Sequence, residues 1–260
     1  MAERLAASIL SRDEIIKHWL LNTAVECPTG LNRIFPLPNT LSLNTRAVPN
    51  ANAKDYSRNL LDLLDSEMII FSSGFPEDDV TTHNGVAGIL DRFLALPRDY
   101  ERVLYMRPGD RASIQVDQSA LLQADFKLTA LGGEAWEKVA GPEWGRFIAA
   151  YTTSPAYGEA GPWEGELFSP NRDLMLAWTG WYPEIRHEKI LTENIKWGSH
   201  SDFEVLYWKR LSFVHRATFH VESSEERWDS YKVPQWFWDW WTHSLHWHKQ
   251  PWELPGWPSG

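Results

Sequence analysis

Cysteine is nearly absent from this sequence, and long apolar runs are missing. Cys27 is the only cysteine in 260 residues, which excludes an internal disulfide and a cysteine-based zinc site. We expect it to be buried as a small apolar residue. No segment approaches the roughly 18 consecutive apolar residues of a membrane span. The first residues carry Glu3 and too short an apolar run for a signal peptide. These absences predict a cytoplasmic protein without membrane insertion.

Clustered positive charge is also missing. The formal net charge is −10, with 12 basic and 17 acidic residues in 1–125 and 13 basic and 18 acidic residues in 126–260. Nucleic-acid binding needs grouped Lys and Arg side chains that neutralise phosphates. The even acidic excess therefore weighs against DNA or RNA as a partner and favours another protein.

The chain has no recognisable catalytic motif. The pair Gly132–Gly133 lacks both the G-x-G-x-x-G spacing and a following Lys-Ser/Thr, so it is not a phosphate loop. No Ser or Cys lies in a known nucleophile motif, although a triad of residues distant in sequence remains open. We predict no cofactor, and the absence of a motif favours a protein that is not an enzyme.

Residues 1–151 are predicted to form a mainly helical part. Ser11 and Glu14 have the S-x-x-E spacing of a capping box, which marks the start of a first helix. A second helix is expected from Asp55, followed by a buried strand over 68–71. A third helix is predicted from the apolar stripe Val86, Ile89, Leu90, Phe93 and Leu94. Short strands are expected over 103–106 and 114–116. The cluster Glu77–Asp79 near His83 could hold a divalent cation, but a solvated acidic loop is the commoner structure.

The stretch Phe126–Tyr151 is predicted to contain two helices. Thr129 can cap the first, whose glycine pair indicates close approach of another backbone, since each glycine costs a helix about 1 kcal/mol. Gly141 ends this helix, and Pro142 suits the first turn of the next. The second helix is expected to bury Trp144, Phe147, Ile148 and Tyr151, which are spaced at i, i+3, i+4 and i+7.

Two segments resemble known patterns. Leu60–Phe71 and Phe126–Gly132 resemble the recurring helix and strand pattern of bacterial winged-helix domains. The string LTALGGEAWE at 128–137, with the later PEW and YWKRL, is similar to a family of bacterial proteins without an assigned activity. The resemblance implies a winged-helix-like fold and no particular chemistry. The helix from Asp55 carries Asp62 and Asp65 beside a single Arg58, which departs from a DNA-reading winged helix.

Residues 152–260 are predicted to form a tryptophan-rich α+β part, because 15 of the 16 tryptophans lie at or after Trp136. The Gly- and Pro-rich segment 152–172 is expected to be irregular. Within it, Glu164 and Glu166 would project to one face if the backbone were extended, as a carboxylate pair, although two solvated acids are the simpler interpretation. Strands over 203–208 and 217–221 are expected to form a hairpin joined by 211–215.

The C-terminal segment has the most unusual composition. A helix from about Pro234 would align Trp236, Trp240 and Trp247, as buried core or as an exposed surface for binding, for example to sugar rings. His243, His246 and His248 are candidate metal ligands. On one helix, however, His248 would point away from His246, so convergence would need an extended tail and ligands from elsewhere.

We thus expect an α+β protein in which a winged-helix-like part, 1–151, packs on a Trp-rich part, 152–260, with a hairpin and a C-terminal aromatic helix. The leading hypothesis is a non-enzymatic protein-binding module. The alternatives are a winged-helix nucleic-acid-binding regulator and a metal-dependent hydrolase that uses the C-terminal histidines with a carboxylate such as Glu253. The sequence leaves the oligomeric state and the identity of any partner open.

Overall fold

The computed structural model describes residues 9–35, 47–95, 123–153, 163–181, 195–221 and 247–258. These residues combine helices with two antiparallel sheets, one of three strands and one of four. The α+β class is confirmed. In the described ranges, no helix is both long and apolar enough to cross a membrane.

Contacts divide the chain into two compact units. The first contains residues 1–140, 206–208 and 250–260, and the second contains 141–205 and 209–249. A single boundary at residue 151 is the simpler division expected from the sequence, whereas two later segments here belong to the first unit.

The described residues of the first unit form four longer helices and a small sheet. In chain order its elements are α1 (Arg12–Thr23), β1 (Thr29–Gly30), α2 (Leu31–Ile34), α3 (Ala53–Asp65), β2 (Ile69–Ser72), α4 (His83–Leu94), β3 (Asp125–Leu128), α5 (Ala130–Ala140) and the short 3-10 helix η2 (Pro251–Glu253). The strands lie in the order β1-β3-β2. The pairs Ile69–Leu128 and Phe71–Phe126 are buried on one face of this sheet. The winged-helix-like layout stays a prediction.

Side chains cap the four longer described helices of this unit at their N-termini, and at α5 the predicted cap Thr129 accepts from the N–H of Gly132 at 3.1 Å. The predicted capping box of α1 is present, because Ser11 accepts from the backbone N–H of Glu14 and the Glu14 carboxylate accepts from that of Ser11. Asn52 and Asp55 form an equivalent box on α3, and Thr82 caps α4. The predicted stripe of α4 is confirmed at Val86, Ile89, Leu90 and Phe93, which are buried, whereas Leu94 is 39% exposed.

The second unit is built around the four-stranded sheet. Its elements are the 3-10 helix η1 (Trp144–Arg146), β4 (Ala149–Thr153), β5 (Trp163–Ser169), α6 (Arg172–Trp181), β6 (Lys196–Leu206) and β7 (Lys209–Val221). The strand order is β4-β5-β7-β6. One face, the inner face, packs in a buried core of Leu167, Met175, Ile195, Ala217 and Phe219.

Tyr207 and Trp208 form the turn between β6 and β7, and both residues belong to the first unit. The Tyr207 hydroxyl donates to the carbonyl of Ala24 and accepts from the N–H of Leu128 at 3.0 Å. The Trp208 indole N–H donates to the carbonyl of Val25 at 2.8 Å. The two aromatic side chains are therefore held by backbone groups that follow α1 and by one in β3.

The glycine pair of α5 lies where two neighbours leave no room for side chains. A Cβ on Gly132 would lie 1.9 Å from the backbone oxygen of Met68, and one on Gly133 would lie 1.9 Å from the ring of Trp208. The predicted close backbone approach is confirmed at Gly132. At Gly133 the neighbour is a side chain.

The predicted helix with Trp144, Phe147, Ile148 and Tyr151 on its apolar face is wrong. Only 144–146 form a turn of 3-10 helix, and 149–153 form β4, which pairs with β5. The helical spacing of the four apolar residues is coincidental, because the backbone groups of β4 bond to the neighbouring strand instead.

Three further predictions are corrected. Residues 163–169, expected to be irregular, form β5. The hairpin is present, but its turn lies at Tyr207–Trp208 and 211–215 lie within β7. Cys27 is exposed rather than buried. The predicted strands over 103–106 and 114–116 lie outside the described residues.

Candidate functional site

The predicted metal and aromatic site falls mostly outside the described residues. His243, His246, Trp236 and Trp240 are not among them, whereas Trp247 and His248 are. Trp247 is 5% exposed, and its ring centroid lies 4.9 Å from those of Trp144 and Phe147. Its indole is thus core, and it offers no open stacking surface. No three His, Cys, Asp or Glu side chains converge as a metal site within the described ranges.

Asp78 and Asp79, in the acidic loop before α4, accept hydrogen bonds from neighbouring side chains. Burial alone would raise the pKa of Asp78, but hydrogen bonds from Ser73 and Arg92 outweigh it and lower that pKa. Hydrogen bonds from Thr82 and Thr81 lower the pKa of Asp79 to about 2. The carboxylates therefore order the loop and the start of α4, and the simpler interpretation of this cluster is the one the geometry favours.

Ion pairs join α1 and α3 and engage basic side chains that a DNA-binding surface would need for contacts with phosphates. Arg58 lies 2.6 Å from Asp13, Arg12 lies 3.0 Å from Asp55, and Lys17 lies 3.0 Å from Asp62. Each cation already faces a carboxylate, so it is less available to phosphates. This geometry weighs against α3 as a DNA-reading helix.

Glu164 and Glu166 project to the same face of β5. Between them, a Cβ on Gly165 would lie 2.2 Å from the ring of Phe219, which belongs to the inner core. Because side chains alternate along a strand, both glutamates lie on the opposite face. The sequence predicts one shared face for the two glutamates if the backbone is extended, and the backbone of β5 is extended there.

We call this opposite side of the four-stranded sheet the outer face. It is formed by Tyr151 on β4, by Glu164, Glu166 and Phe168 on β5, by Arg216, Thr218 and His220 on β7, and by Lys196, Gly198 and His200 on β6, with the ring of Phe203 stacked on the buried Phe168. Strand register places Tyr151 beside Glu166, Glu166 beside Thr218, and Glu164 beside His220.

The β6 residues of the outer face are located by two contacts. The Thr218 hydroxyl lies 3.4 Å from the carbonyl oxygen of Lys196, and a Cβ on Gly198 would lie 3.9 Å from that of Arg216. Lys196 and Gly198 are two residues apart on one strand, so they share a face. Lys196 therefore lies on the outer face beside Thr218, and Gly198 beside Arg216.

Acidic and basic side chains of the outer face are on different strands. Both carboxylates lie on β5, whereas Arg216 and His220 lie on β7 and Lys196 lies on β6. Arg216 forms an ion pair with Glu166 and lies 5.9 Å from the ring centroid of Phe168. His220 Nδ1 lies 4.0 Å from Glu164 Oε1.

The outer face is open where these charges lie. Tyr151 is 50% exposed, and the side chains of Glu164, His220, Glu166 and Arg216 are 77%, 56%, 37% and 36% exposed. Groups that act as catalytic acids or bases usually have a pKa tuned by burial in a cleft. Open, paired charges next to a tyrosine are more typical of a recognition surface.

Sequence reasoning found only the glutamates of this surface. The alternation of Arg216, Thr218 and His220 with apolar residues is a usable further signal, since a period of two marks one polar face of a strand. Tyr151 was assigned to a helix, and nothing in the sequence indicated that Lys196 would lie beside Thr218. The site became visible only through the strand order.

In comparisons with protein-family models, with curated proteins and with solved structures, nothing matches this chain.

Proposed function

We propose that this chain is a non-enzymatic module that binds another protein through the outer face. The observation that carries the proposal is one face of a sheet on which a half-exposed tyrosine lies beside a row of carboxylates on β5 and a row of basic side chains on β7. Tyr and Arg are enriched in protein interfaces, where an aromatic ring supplies buried area at low entropic cost and charges select the partner.

The exposure of the charged groups supports binding over catalysis. The charged groups of this face remain in contact with water, and the described residues contain no set of metal-ligating side chains around it. Gly165 has no side chain, so the ring of Phe219 packs against β5 beneath the two glutamates.

Site-specific crosslinking tests the proposal. A photoreactive phenylalanine analogue would replace Tyr151, and the matched control would carry it at Leu131, which is 47% exposed on α5 in the first unit. Irradiation with an extract of the source organism should give a protein adduct from position 151 that position 131 does not give. The adduct should weaken with Glu164→Lys and persist with Glu134→Lys, which changes the same charge on α5. Adducts that are absent, equal at both positions, or insensitive to Glu164→Lys would refute the proposal.

A further inference from the structure

We infer that the protein bound by the outer face is a second copy of this chain, packed face to face around a two-fold axis that runs along the strands between β5 and β7. This inference rests on the proposed function, since it names the partner of the same surface. The arrangement of charged and aromatic side chains across the sheet supports it.

A two-fold axis in this position exchanges the two halves of the face. The strand β5 of one copy then lies over β7 of the other, and β4 lies over β6. At the level of each cross-strand pair, Glu164 faces His220 of the second copy, and Glu166 faces Thr218 of the second copy. Glu164 thus meets the imidazole of His220 twice by symmetry, whereas Arg216 lies at the level of Phe168 of the second copy and stays paired with Glu166 of its own chain.

The edge strands are complementary in the same orientation. Tyr151 lies at the level of Glu166, and Lys196 lies at the level of Thr218. The exchange therefore brings the half-exposed ring of Tyr151 over the ammonium group of Lys196 of the second copy. A cation over a tyrosine ring is attracted by the ring's negative face. The neighbouring Gly198 has no side chain to obstruct the approach.

The other in-plane two-fold axis, perpendicular to the strands, is disfavoured by charge. It would place β5 over β5 and set the carboxylates of the two copies against each other. Like charges juxtaposed across an interface cost free energy and disfavour that arrangement. Charge therefore selects one of the two face-to-face orientations, as expected for an isologous interface.

The size of the face sets the expected affinity. The face is four strands wide, at about 4.8 Å for each strand, and about five residues long, at roughly 3.3 Å for each residue. It therefore covers roughly 300 Å². A standard stable interface covers about 800 Å² on each partner, so this contact belongs to the weak, transient class. Exposed ion pairs add little to affinity and are screened by salt. We expect a dissociation constant of roughly 0.1–1 mM, with tighter association at low salt.

Charge reversal with heterodimer rescue tests the inference. Glu164→Lys alone places two basic groups together in the symmetric pair, and His220→Glu alone places two carboxylates together. Either variant should lose the concentration-dependent rise in mass that sedimentation equilibrium detects for the wild type. An equimolar mixture should regain it, because each variant then supplies the charge that complements the other. Glu134→Lys should associate like the wild type.

The outcomes separate this inference from the proposed function. A wild-type mass independent of concentration up to about 1 mM overturns self-association, the range being set by the weak class of contact. Crosslinks from position 151 to a different protein would then leave the proposed function standing, and their absence would remove both. Self-association that Glu164→Lys leaves unchanged, or a mixture that fails to rescue, also overturns the inference.

Discussion

Replacing Tyr207 with phenylalanine removes one hydroxyl group but should destabilise the first unit strongly. The hydroxyl bonds to the N–H of Leu128 and the carbonyl of Ala24, and these residues are 2% and 0% exposed. A buried backbone group left without a partner costs about 1–3 kcal/mol, and a carbonyl tolerates the loss better because it has a second lone pair. We expect Tyr207→Phe to lower the free energy of unfolding by roughly 2–4 kcal/mol.

Urea unfolding followed by tryptophan fluorescence measures this loss. Tyr151→Phe is the matched control, since it removes a hydroxyl from a half-exposed ring and should change stability by less than about 0.5 kcal/mol. Amide hydrogen exchange adds a local measurement, because the N–H of Leu128 should exchange faster once its acceptor is gone. If the two variants lose the same stability, or if exchange at Leu128 is unchanged, the assigned role of the hydroxyl is wrong.

Three further predictions concern the same unit. Burial raises the pKa of Tyr207 from 10.0 to about 12, so its stabilising contribution is complete below pH 10 and is lost as the pH rises towards 12. Phenolate absorbance of the wild type minus that of Tyr207→Phe should show one step near pH 12, and a step near pH 10 would refute this. Gly132→Ala should destabilise by about 1–3 kcal/mol because its Cβ would clash with the Met68 carbonyl. Gly88→Ala in α4, which has open space around it, should instead raise stability by up to about 1 kcal/mol. Thermal melts of both variants measure these changes, and a Gly88→Ala variant less stable than Gly132→Ala would contradict the packing. Ser11→Ala should cost about 0.5–2 kcal/mol by loss of the cap, measured by urea unfolding, whereas a loss near zero would show that the capping box is not needed.

Local signals predicted the helices of the first unit well. The capping box at Ser11 and the apolar stripe of α4 depend on residues within two or three turns of one another, so neighbouring sequence contains the necessary information. The backbone approach at Gly132 was also predictable, because glycine is costly inside a helix unless space requires it. Its neighbour in space, Met68, was not predictable from this pattern.

Nonlocal pairing explains the errors. The segment 149–153 has apolar spacing that suits a helix, but β5 supplies its hydrogen-bond partners from beyond residue 162. The hairpin turn was misplaced because Tyr207 and Trp208 lack the Gly and Asn signals of common two-residue turns. Their position is stabilised by carbonyls of Ala24 and Val25, which lie more than 180 residues earlier in the chain.

The return of residues 206–208 to the first unit has a consequence for synthesis on the ribosome. Residues 1–140 emerge long before the Tyr207 hydroxyl and the Trp208 indole, which complete the hydrogen bonds around Ala24, Val25 and Leu128. Gln250–Gly260 belong to the same unit and are made later still. The unit that begins first is therefore finished last. Its nascent form leaves those polar groups and the Gly133 side of α5 uncovered while most of the second unit is being made. Slow, nonlocal closure of this kind exposes a chain to misfolding. We accordingly expect fragments that end at residue 140 to need chaperones or to aggregate.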